Sequence, residues 1–373
     1  MKIGILTYSK ANNFGAMMQA LALKHTLEER YKADVYFVNY YSVLQENNDG
    51  LKLKICNMAQ LVKQFIRMPF RKQIRTRIQK FTDFRSRNFV FSSKKMNEYT
   101  SQEELVEEFD KFDIIIVGSD QVWNVENDGF TPVYYLPFKL KARKITYAAS
   151  IGVSQVEKLK EYSVYMDDFF LLSTREEKAK KILEECTHKT VVLDPTLFVD
   201  SDFYDTLLKG YKCEYLAVKE KYMLAVFYGR KNLSKFRKSA EKLAQKFSLP
   251  LKIINVNFGA AAYASNLIND AGPLDFLSIK NAECVCTNSF HNMAFALIYD
   301  RPFYVFEDNA LDVRKVGILK TLKLQDRIVY GDDISSITKL DCDFKENKLI
   351  LDHLKLQSFA FLDQIDRLGS IQI

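Results

Sequence analysis

The sequence predicts an α/β protein made of two Rossmann-like, doubly wound parallel-sheet domains that face a cleft. A length of 373 residues fits two domains. Apolar, β-prone runs alternate with segments of helical periodicity, and this alternation stops and then starts again. The predicted domains span residues 1–205 and 206–345. A C-terminal helix within 346–373 is expected to pack back on the first domain.

The first domain opens with a strand, a polar loop, a helix and a second strand. The strand covers residues 2–8, the loop 9–15, the helix 16–30 and the next strand 34–40. Such a unit has a right-handed crossover between parallel strands. Further strands are predicted at 113–117, 144–149, 169–175 and 190–193, and helices at 157–168 and 176–185.

The second domain repeats the alternation. Strands are predicted at 222–227, 251–257, 283–287 and 302–306, and helices at 234–247, 273–280 and 290–299. In open α/β sheets, ligands bind at the carboxyl ends of the strands. Polar clusters follow the predicted strands at 9–15, 118–121, 150–152, 174–176, 228–230 and 288–291. With two facing domains, these clusters should line one cleft.

Charge is concentrated in a helical insertion predicted at 45–110. The chain carries +7 overall, but residues 52–95 hold thirteen Lys and Arg and one acid, Asp83, so the remainder carries −5. This segment is either a solvated helical surface or a basic face that meets a membrane surface or a lipid-phosphate substrate. No recognition helix, zinc finger or RNP pattern accompanies it, so no nucleic-acid partner is expected.

Several classes of protein find no support in the sequence. The six cysteines form no CxxC pair, and Cys284 and Cys286 read as buried apolar residues. Nucleotide-binding glycine motifs, HExxH and GxSxG are absent, and the DxD at Asp341–Asp343 comes after the second sheet. No cofactor or metal is expected. Neither a signal peptide nor a spanning helix is visible, so a reduced, cytoplasmic protein is expected, with peripheral contact at the inner membrane as an open alternative.

One strand-to-helix junction stands out for chemistry. Asn288 and Ser289 are residue types that cap helices, and His291 follows in the first turn. The free N–H groups of a helix start can hold an anion, and a histidine there can add a proton donor. The alternative is a capping or core histidine.

Two other strand ends offer candidate groups. Asp120 could act as a base or accept a sugar hydroxyl, Trp123 could stack on a sugar, and Gln121 lies between them. The alternative is a turn that Asp120 caps. Arg175 could clamp an anion or form a surface ion pair.

These motifs, taken in order, resemble the polysaccharide pyruvyl transferase family over residues 1–330. The motifs are GILTYSKANNFGAMMQALAL, DIIIVGSDQVWN, YAASIG, STREE, VLDPTLF and TNSFHNMAFALIYDRPF, followed by a spaced pattern from Val313 to Arg327. The resemblance implies a fold similar to two-domain, GT-B-like glycosyltransferases. It also implies transfer of pyruvate from phosphoenolpyruvate to two hydroxyls of a sugar or lipid-linked oligosaccharide, a cell-surface polysaccharide precursor, forming a ketal.

The resemblance also implies roles for individual residues. His291 and Asp120 would be catalytic. Donor binding would fall to Arg175, Asn288, Ser289 and Arg314, and acceptor binding to Asn12, Asn13, Gln121 and Trp123. One position departs from the family pattern: Asn292 stands where the family usually has glycine, and its amide could narrow the pocket. A nucleotide-sugar glycosyltransferase and a non-catalytic carbohydrate-binding protein on this fold remain the alternatives.

Overall fold

The computed structural model describes ten stretches of the chain. They are residues 1–49, 58–127, 129–152, 156–180, 189–213, 220–229, 232–256, 266–307, 313–331 and 333–365.

The first domain is built on six parallel strands. They are β1 (Lys2–Leu6), β2 (Asp34–Phe37), β3 (Ile114–Asp120), β4 (Arg143–Ala149), β5 (Leu172–Thr174) and β6 (Lys189–Val191). Their order in the sheet is β2-β1-β3-β4-β5-β6. Every residue of β3 is buried, as expected for an apolar parallel strand covered on both faces.

The second domain has six further parallel strands. They are β7 (Met223–Phe227), β8 (Leu251–Asn255), β9 (Leu267–Ile268), β10 (Cys284–Thr287), β11 (Phe303–Glu307) and β12 (Ile328–Tyr330). Their order is β12-β11-β10-β7-β8-β9. The predicted fold class is therefore confirmed. The edge strands β9 and β12 were not predicted, because two or three residues are too few to show a period.

Both sheets have a topological switch point, where the strand order reverses. It lies between β1 and β3 in the first sheet and between β7 and β10 in the second. Crevices that bind ligands form outside the carboxyl ends of strands at such points. The loops that follow β1, β3, β7 and β10 carry most of the polar clusters singled out in the sequence.

The described helices cover the sheets and connect the strands. They are α1 (Phe14–Tyr31), α2 (Val43–Asp49), α3 (Met58–Arg67), α4 (Arg71–Asn88), α5 (Gln102–Phe109), α6 (Lys160–Ser163), α7 (Glu177–Lys180), α8 (Ser201–Thr206), α9 (Leu233–Lys246), α10 (Pro273–Phe276), α11 (Phe290–Ile298), α12 (Val313–Thr321) and α13 (Lys345–Leu362).

The continuous helix predicted over 157–168 is wrong. The structure has the single turn α6 between two 3₁₀ turns, Val156–Leu159 and Met166–Asp168. Leu159 and Met166 are buried and Tyr162 packs against the same core, so the buried residues keep helical spacing although the helix is not continuous. Of the helix predicted at 176–185, α7 is described and residues 181–188 lie outside the described part.

Helix α13 contacts the first domain. The Leu193 N–H donates to Ser358 Oγ at 2.9 Å, and the rings of Phe198 and Phe359 lie 4.7 Å apart. Arg30 Nε donates to Asp363 Oδ1 at 2.6 Å just beyond the helix. The predicted boundary at residue 205 falls between the last strand of the first sheet and the first strand of the second.

Helix α4 of the basic insertion reaches the second domain. Its Phe81 stacks on Phe14, which also stacks on Phe276 of the second domain, at centroid distances of 5.4 and 5.2 Å. Arg77 Nη1 donates to the Asn255 carbonyl at 2.9 Å, and Lys80 Nζ lies 2.7 Å from Asp275. This part of the basic segment is therefore a bridge between the domains rather than a solvated surface.

Candidate active site between the domains

His291 lies where the two domains meet. It is in the first turn of α11 and is only 7% exposed. Gly15, at the start of α1, faces His291 from the first domain. A Cβ added to Gly15 would lie 2.1 Å from His291 Nδ1. A glycine at position 15 is therefore what allows α1 to approach the imidazole this closely.

A buried carboxylate joins His291 to Arg175. Asp194 Oδ2 lies 2.7 Å from Arg175 Nη2 and 3.5 Å from His291 Nε2. Asp194 Oδ1 accepts from the N–H and hydroxyl of Thr196 at 2.9 and 2.6 Å. Arg175 follows β5 and Asp194 follows β6, so the ends of two neighbouring strands of the first sheet hold this cluster against the second domain.

The charge of Asp194 is fixed by its surroundings. Burial acts to raise the pKa of this carboxyl, but Arg175 and then His291 act against it and hold the pKa well below its usual range. Asp194 is therefore ionised at neutral pH. The alternative of a surface ion pair for Arg175 is wrong, because the side chains of both partners are buried.

The cluster has more N–H donors than the described protein atoms use. Arg175 Nη2 donates to Ser119 Oγ at 3.1 Å, but within the described part of the chain Arg175 Nε and Nη1 are buried without a hydrogen-bond partner. Native structures pair nearly all such groups. A cavity of about 330 Å³ borders Arg175 and Phe290 and is closed on another side by α13; three carboxylates, Glu176, Glu177 and Asp194, also line it. Unpaired guanidinium donors beside a cavity are suited to bind an anion.

The start of α11 differs in part from the sequence prediction. Ser289 is the N-cap residue, but its side chain makes no capping hydrogen bond. The first N–H groups of a helix have no partner within the helix, and no side-chain cap takes their place here. Asn288 instead exchanges hydrogen bonds of 2.8 and 2.9 Å with the main chain of Tyr228, which ties the end of β10 to the end of β7.

The expected effect of Asn292 on the pocket is wrong. Its side chain is fully buried and points toward the sheet rather than into the cleft. Nδ2 donates to Thr287 Oγ1 at 2.9 Å and to the Val226 carbonyl at 3.3 Å. The amide thus ties the first turn of α11 to the ends of β7 and β10.

Asp120 lies at the carboxyl end of β3, directly after Ser119, which contacts Arg175. Its backbone has a φ of +77°, an uncommon conformation for a residue other than glycine and one that clusters at functional sites. The pKa values of Tyr8 and Tyr228 are raised mainly by burial and further by the charge of Asp120. Asp120 therefore acts on residues from both sheets, at the crevice between them.

Trp123 is not available to a sugar. It is 1% exposed, its ring stacks on Tyr135 at 5.1 Å, and Nε1 donates to the Tyr134 carbonyl at 3.1 Å. The prediction that Trp123 stacks on an acceptor is therefore wrong, since this indole belongs to the core. Gln121 is partly exposed, and its Oε1 accepts from Asn124 Nδ2 at 2.8 Å.

The remaining predicted residues are separated in the structure. Asn13 caps α1 by accepting from the Ala16 N–H at 3.2 Å. Asn12 accepts from Arg85 Nη1 at 3.0 Å, on the side of the loop that faces α4. Arg314 lies in α12, but its side chain is outside the described part of the structure.

Sequence reasoning missed Asp194 and Tyr8 as parts of this site. Gly15 and Tyr228 fell within clusters expected to line the cleft, but the contact of Gly15 with His291 was not predicted. Asp194 carried a usable signal, because it is an acid directly after a predicted strand. Gly15 carried none, because only the assembled domain contact shows what a side chain there would meet.

The expected properties of the cysteines and acids can be checked in the described part of the chain. Cys284 and Cys286 are buried and unbridged, as predicted. Among the described residues, no group of three or more His, Cys, Asp or Glu is placed to hold a metal ion. No described helix is both long and apolar enough to cross a membrane.

A family comparison decides the classification of this chain. The model of the family described as "Polysaccharide pyruvyl transferase" matches residues 13–309. The chain belongs to the polysaccharide pyruvyl transferase family. Asp120, Arg175, Asp194 and His291 all fall inside the matched segment.

Solved structures with a similar fold come from other enzymes. A UDP-GlcNAc 2-epimerase from Methanocaldococcus jannaschii, in complex with UDP-GlcNAc and UDP, is 15% identical, with a TM-score of 0.53 over 95% of this pyruvyl transferase family member and 100% of that chain. The UDP-GlcNAc 2-epimerase from Neisseria meningitidis bound to UDP-GlcNAc is 12% identical, with a TM-score of 0.51 over 95% and 99%. These likenesses show the fold alone. A search of curated proteins found no match.

Proposed function

We propose that this transferase moves pyruvate from phosphoenolpyruvate onto two hydroxyls of one sugar in a cell-surface polysaccharide precursor, giving a cyclic ketal and phosphate. The observation that carries the proposal is the buried Arg175–Asp194–His291 cluster, in which two N–H donors of Arg175 lack a protein partner. The family supports a transferase that acts on polysaccharides, and this cluster supports an anionic donor.

The donor would bind through the unused donors of the cluster. Phosphoenolpyruvate carries a carboxylate and a phosphate, and Arg175 Nε and Nη1 form a fork that matches either group. Asp194 engages Nη2, which fixes the plane of the guanidinium. The uncapped start of α11 offers further N–H groups and a favourable helix dipole to the second anionic group.

The reaction requires one proton acceptor and one proton donor. The first sugar hydroxyl attacks C2 of the enolpyruvyl group and passes its proton to Asp120, while His291 protonates the methylene carbon, which becomes a methyl group. The second hydroxyl then displaces phosphate at C2 and its proton leaves with the products. Asp194, ionised beside the imidazole, orients the ring and stabilises its positive charge.

Ligand-induced thermal stabilisation tests this proposal. Phosphoenolpyruvate at 100 times its Kd should stabilise the protein by about 2.7 kcal/mol, while UDP sugars should leave the melting temperature unchanged. Stabilisation by a UDP sugar and not by phosphoenolpyruvate would favour the nucleotide-sugar glycosyltransferase. No response to either, together with no phosphate release from phosphoenolpyruvate in the presence of polysaccharide precursors, would favour the non-catalytic carbohydrate-binding protein.

We also propose that α3 contacts an anionic membrane surface. Its apolar face points outward, with Met58, Val62 and Phe65 exposed at 72, 52 and 62%, while its Arg67 is buried. Residues 58–82 hold seven Lys and Arg and no acid. An exposed apolar stripe beside several Lys and Arg side chains and no acid fits the headgroup region of an anionic bilayer. A second copy of the chain would bring like charges together.

The burial of Arg67 and Arg77 changes which cations could contribute to this contact. Both were candidates from the sequence, but each is only 8% exposed, whereas Arg71, Lys72 and Arg75 are exposed. Replacing Val62 and Phe65 by serine should reduce co-sedimentation with vesicles containing phosphatidylglycerol about tenfold or more. Replacing Leu349 and Leu356, which are equally exposed on α13, should change nothing. Equal binding by both double variants, or dimerisation through α3, would contradict the proposal.

A further inference from the structure

A second cavity borders the loop that follows β1. Its volume is about 460 Å³, and it opens between this loop and helices α2 and α4 of the insertion. Three cationic side chains border it, Lys10, Arg85 and Lys95, together with a single carboxylate, Glu46. None of these groups belongs to the Arg175–Asp194–His291 cluster.

The cations of this cavity are held in place by the protein. Arg85 Nη1 donates to the Lys10 carbonyl at 3.2 Å and to Asn12 Oδ1 at 3.0 Å, which fixes the guanidinium against the loop. Lys95 Nζ pairs with Glu46 at 2.8 Å. The lining groups thus carry a net charge of +2 when Lys10 is protonated.

Neutral groups hold the ammonium of Lys10. Its Nζ donates to the neutral amide oxygen of Asn39 and lies 4.9 Å from the centre of the Phe91 ring. Within the described part of the chain, Lys10 forms no ion pair with a carboxylate. Burial, then Lys95 and Arg85, lower the pKa of Lys10 to about 8. Gathering cations in this way is unfavourable unless an anion joins them.

We propose that this cavity binds the diphosphate group that links the acceptor sugar to its carrier. A diphosphate that is substituted at both ends carries two negative charges, which match the net charge of +2 on the lining. Arg and Lys are the usual partners of phosphate oxygens. Lys10 and Gly15 are five residues apart, so at most about 18 Å separates this cavity from the residue that contacts His291. A sugar attached to the diphosphate could therefore extend along the loop, past Asn12 and Asn13, toward the proposed reaction centre.

The inference rests on the proposed function only for the identity of the acceptor, so the anion site can be tested separately. Isothermal titration with inorganic pyrophosphate should show binding to the intact protein. Lys10→Gln and Lys95→Gln should each weaken it about tenfold or more. Lys94→Gln is the matched control, since Lys94 pairs with Glu104 and does not border the cavity, and it should bind within about twofold of the parent.

The same titrations separate this site from the donor site. Arg175→Lys should keep pyrophosphate binding, while excess phosphoenolpyruvate should not displace pyrophosphate from the parent. Equal binding by Lys10→Gln, Lys95→Gln and the parent would overturn the proposal, and so would loss of binding in Arg175→Lys alone. If pyrophosphate binding depends on Lys10 but phosphoenolpyruvate does not bind, the result would support this site and count against the proposed function.

Kinetics and pH add two further readouts. A diphosphate-linked acceptor should have a KM about tenfold or more below that of the same sugar without diphosphate, and Lys10→Gln should remove this difference with little change in kcat. Pyrophosphate binding should weaken as pH rises above about 8, because Lys10 then loses its proton. The other charged or titratable groups that face this cavity are Arg85, Lys95, Glu46 and Tyr41. Identical KM values for both acceptors would argue against a diphosphate.

Discussion

Two buried, charged contacts join the domains, and they differ in how completely their groups are paired. At the α4 bridge, Asp275 accepts from Lys80, from the Tyr211 hydroxyl at 3.0 Å and from the Gly272 N–H at 2.9 Å. At the Asp194 cluster, two N–H donors of Arg175 remain unused among the described residues. Both contacts join elements of the two domains, yet only the second has capacity left for a ligand.

This difference separates a structural contact from a candidate active site. A charged group that is fully paired by protein atoms contributes to the domain arrangement, and breaking the pair costs stability. A buried donor left unpaired costs free energy in the empty protein and regains it when an anion binds. The comparison therefore predicts that variants at the two contacts fail in different measurements.

The largest effect is expected at His291. His291→Ala should lower kcat about 10²-fold or more, the usual loss for a general acid, while the fold survives. His291→Gln should keep part of the donor affinity, because an amide can still donate one hydrogen bond, yet lose turnover. Phosphate release and thermal stability are measured together. Near-normal turnover in His291→Ala would exclude the residue from the mechanism, and unfolding of both variants would mean that its role is structural.

A smaller loss of turnover is expected from Gly15→Ala. The added Cβ would overlap the His291 ring and displace it from Asp194, and small displacements of a reacting group are costly. Turnover should fall about tenfold or more. Thermal unfolding of Gly15→Ala is measured alongside its kinetics. Near-parent turnover in a folded Gly15→Ala protein would show that the close approach of α1 does not position His291.

The smallest effect on turnover is expected at the bridge. Lys80→Met leaves Asp275 buried without its cation and should lower the free energy of unfolding by about 1–3 kcal/mol. Catalysis per folded molecule should stay within about twofold of the parent. Denaturant unfolding and kinetics at low temperature separate the two quantities. A large loss of turnover in the folded variant would mean that the bridge also shapes the site.

The fold and the positions of the strand ends could be predicted from the sequence, but the contacts between the two domains could not. Alternating apolar and helical patterns were enough to predict two parallel sheets and the positions of Asp120, Arg175 and His291 at or just beyond the ends of strands. Burial of Trp123 and the inward direction of Asn292 depend on packing between distant segments, which no local pattern reveals. Asp194 does follow a predicted strand, but its pairing with two partners on different elements could not be seen in the sequence.

The most direct test of the central claim is titration of phosphoenolpyruvate into the parent, Arg175→Lys and Lys80→Met proteins. Lysine can preserve the pairing with Asp194 but not the planar fork of donors. We predict that Arg175→Lys weakens phosphoenolpyruvate binding about tenfold or more, while Lys80→Met binds as the parent does despite its lower stability. Equal affinity in all three proteins, or a loss confined to Lys80→Met, would contradict the assignment of the unpaired donors to an anionic donor substrate.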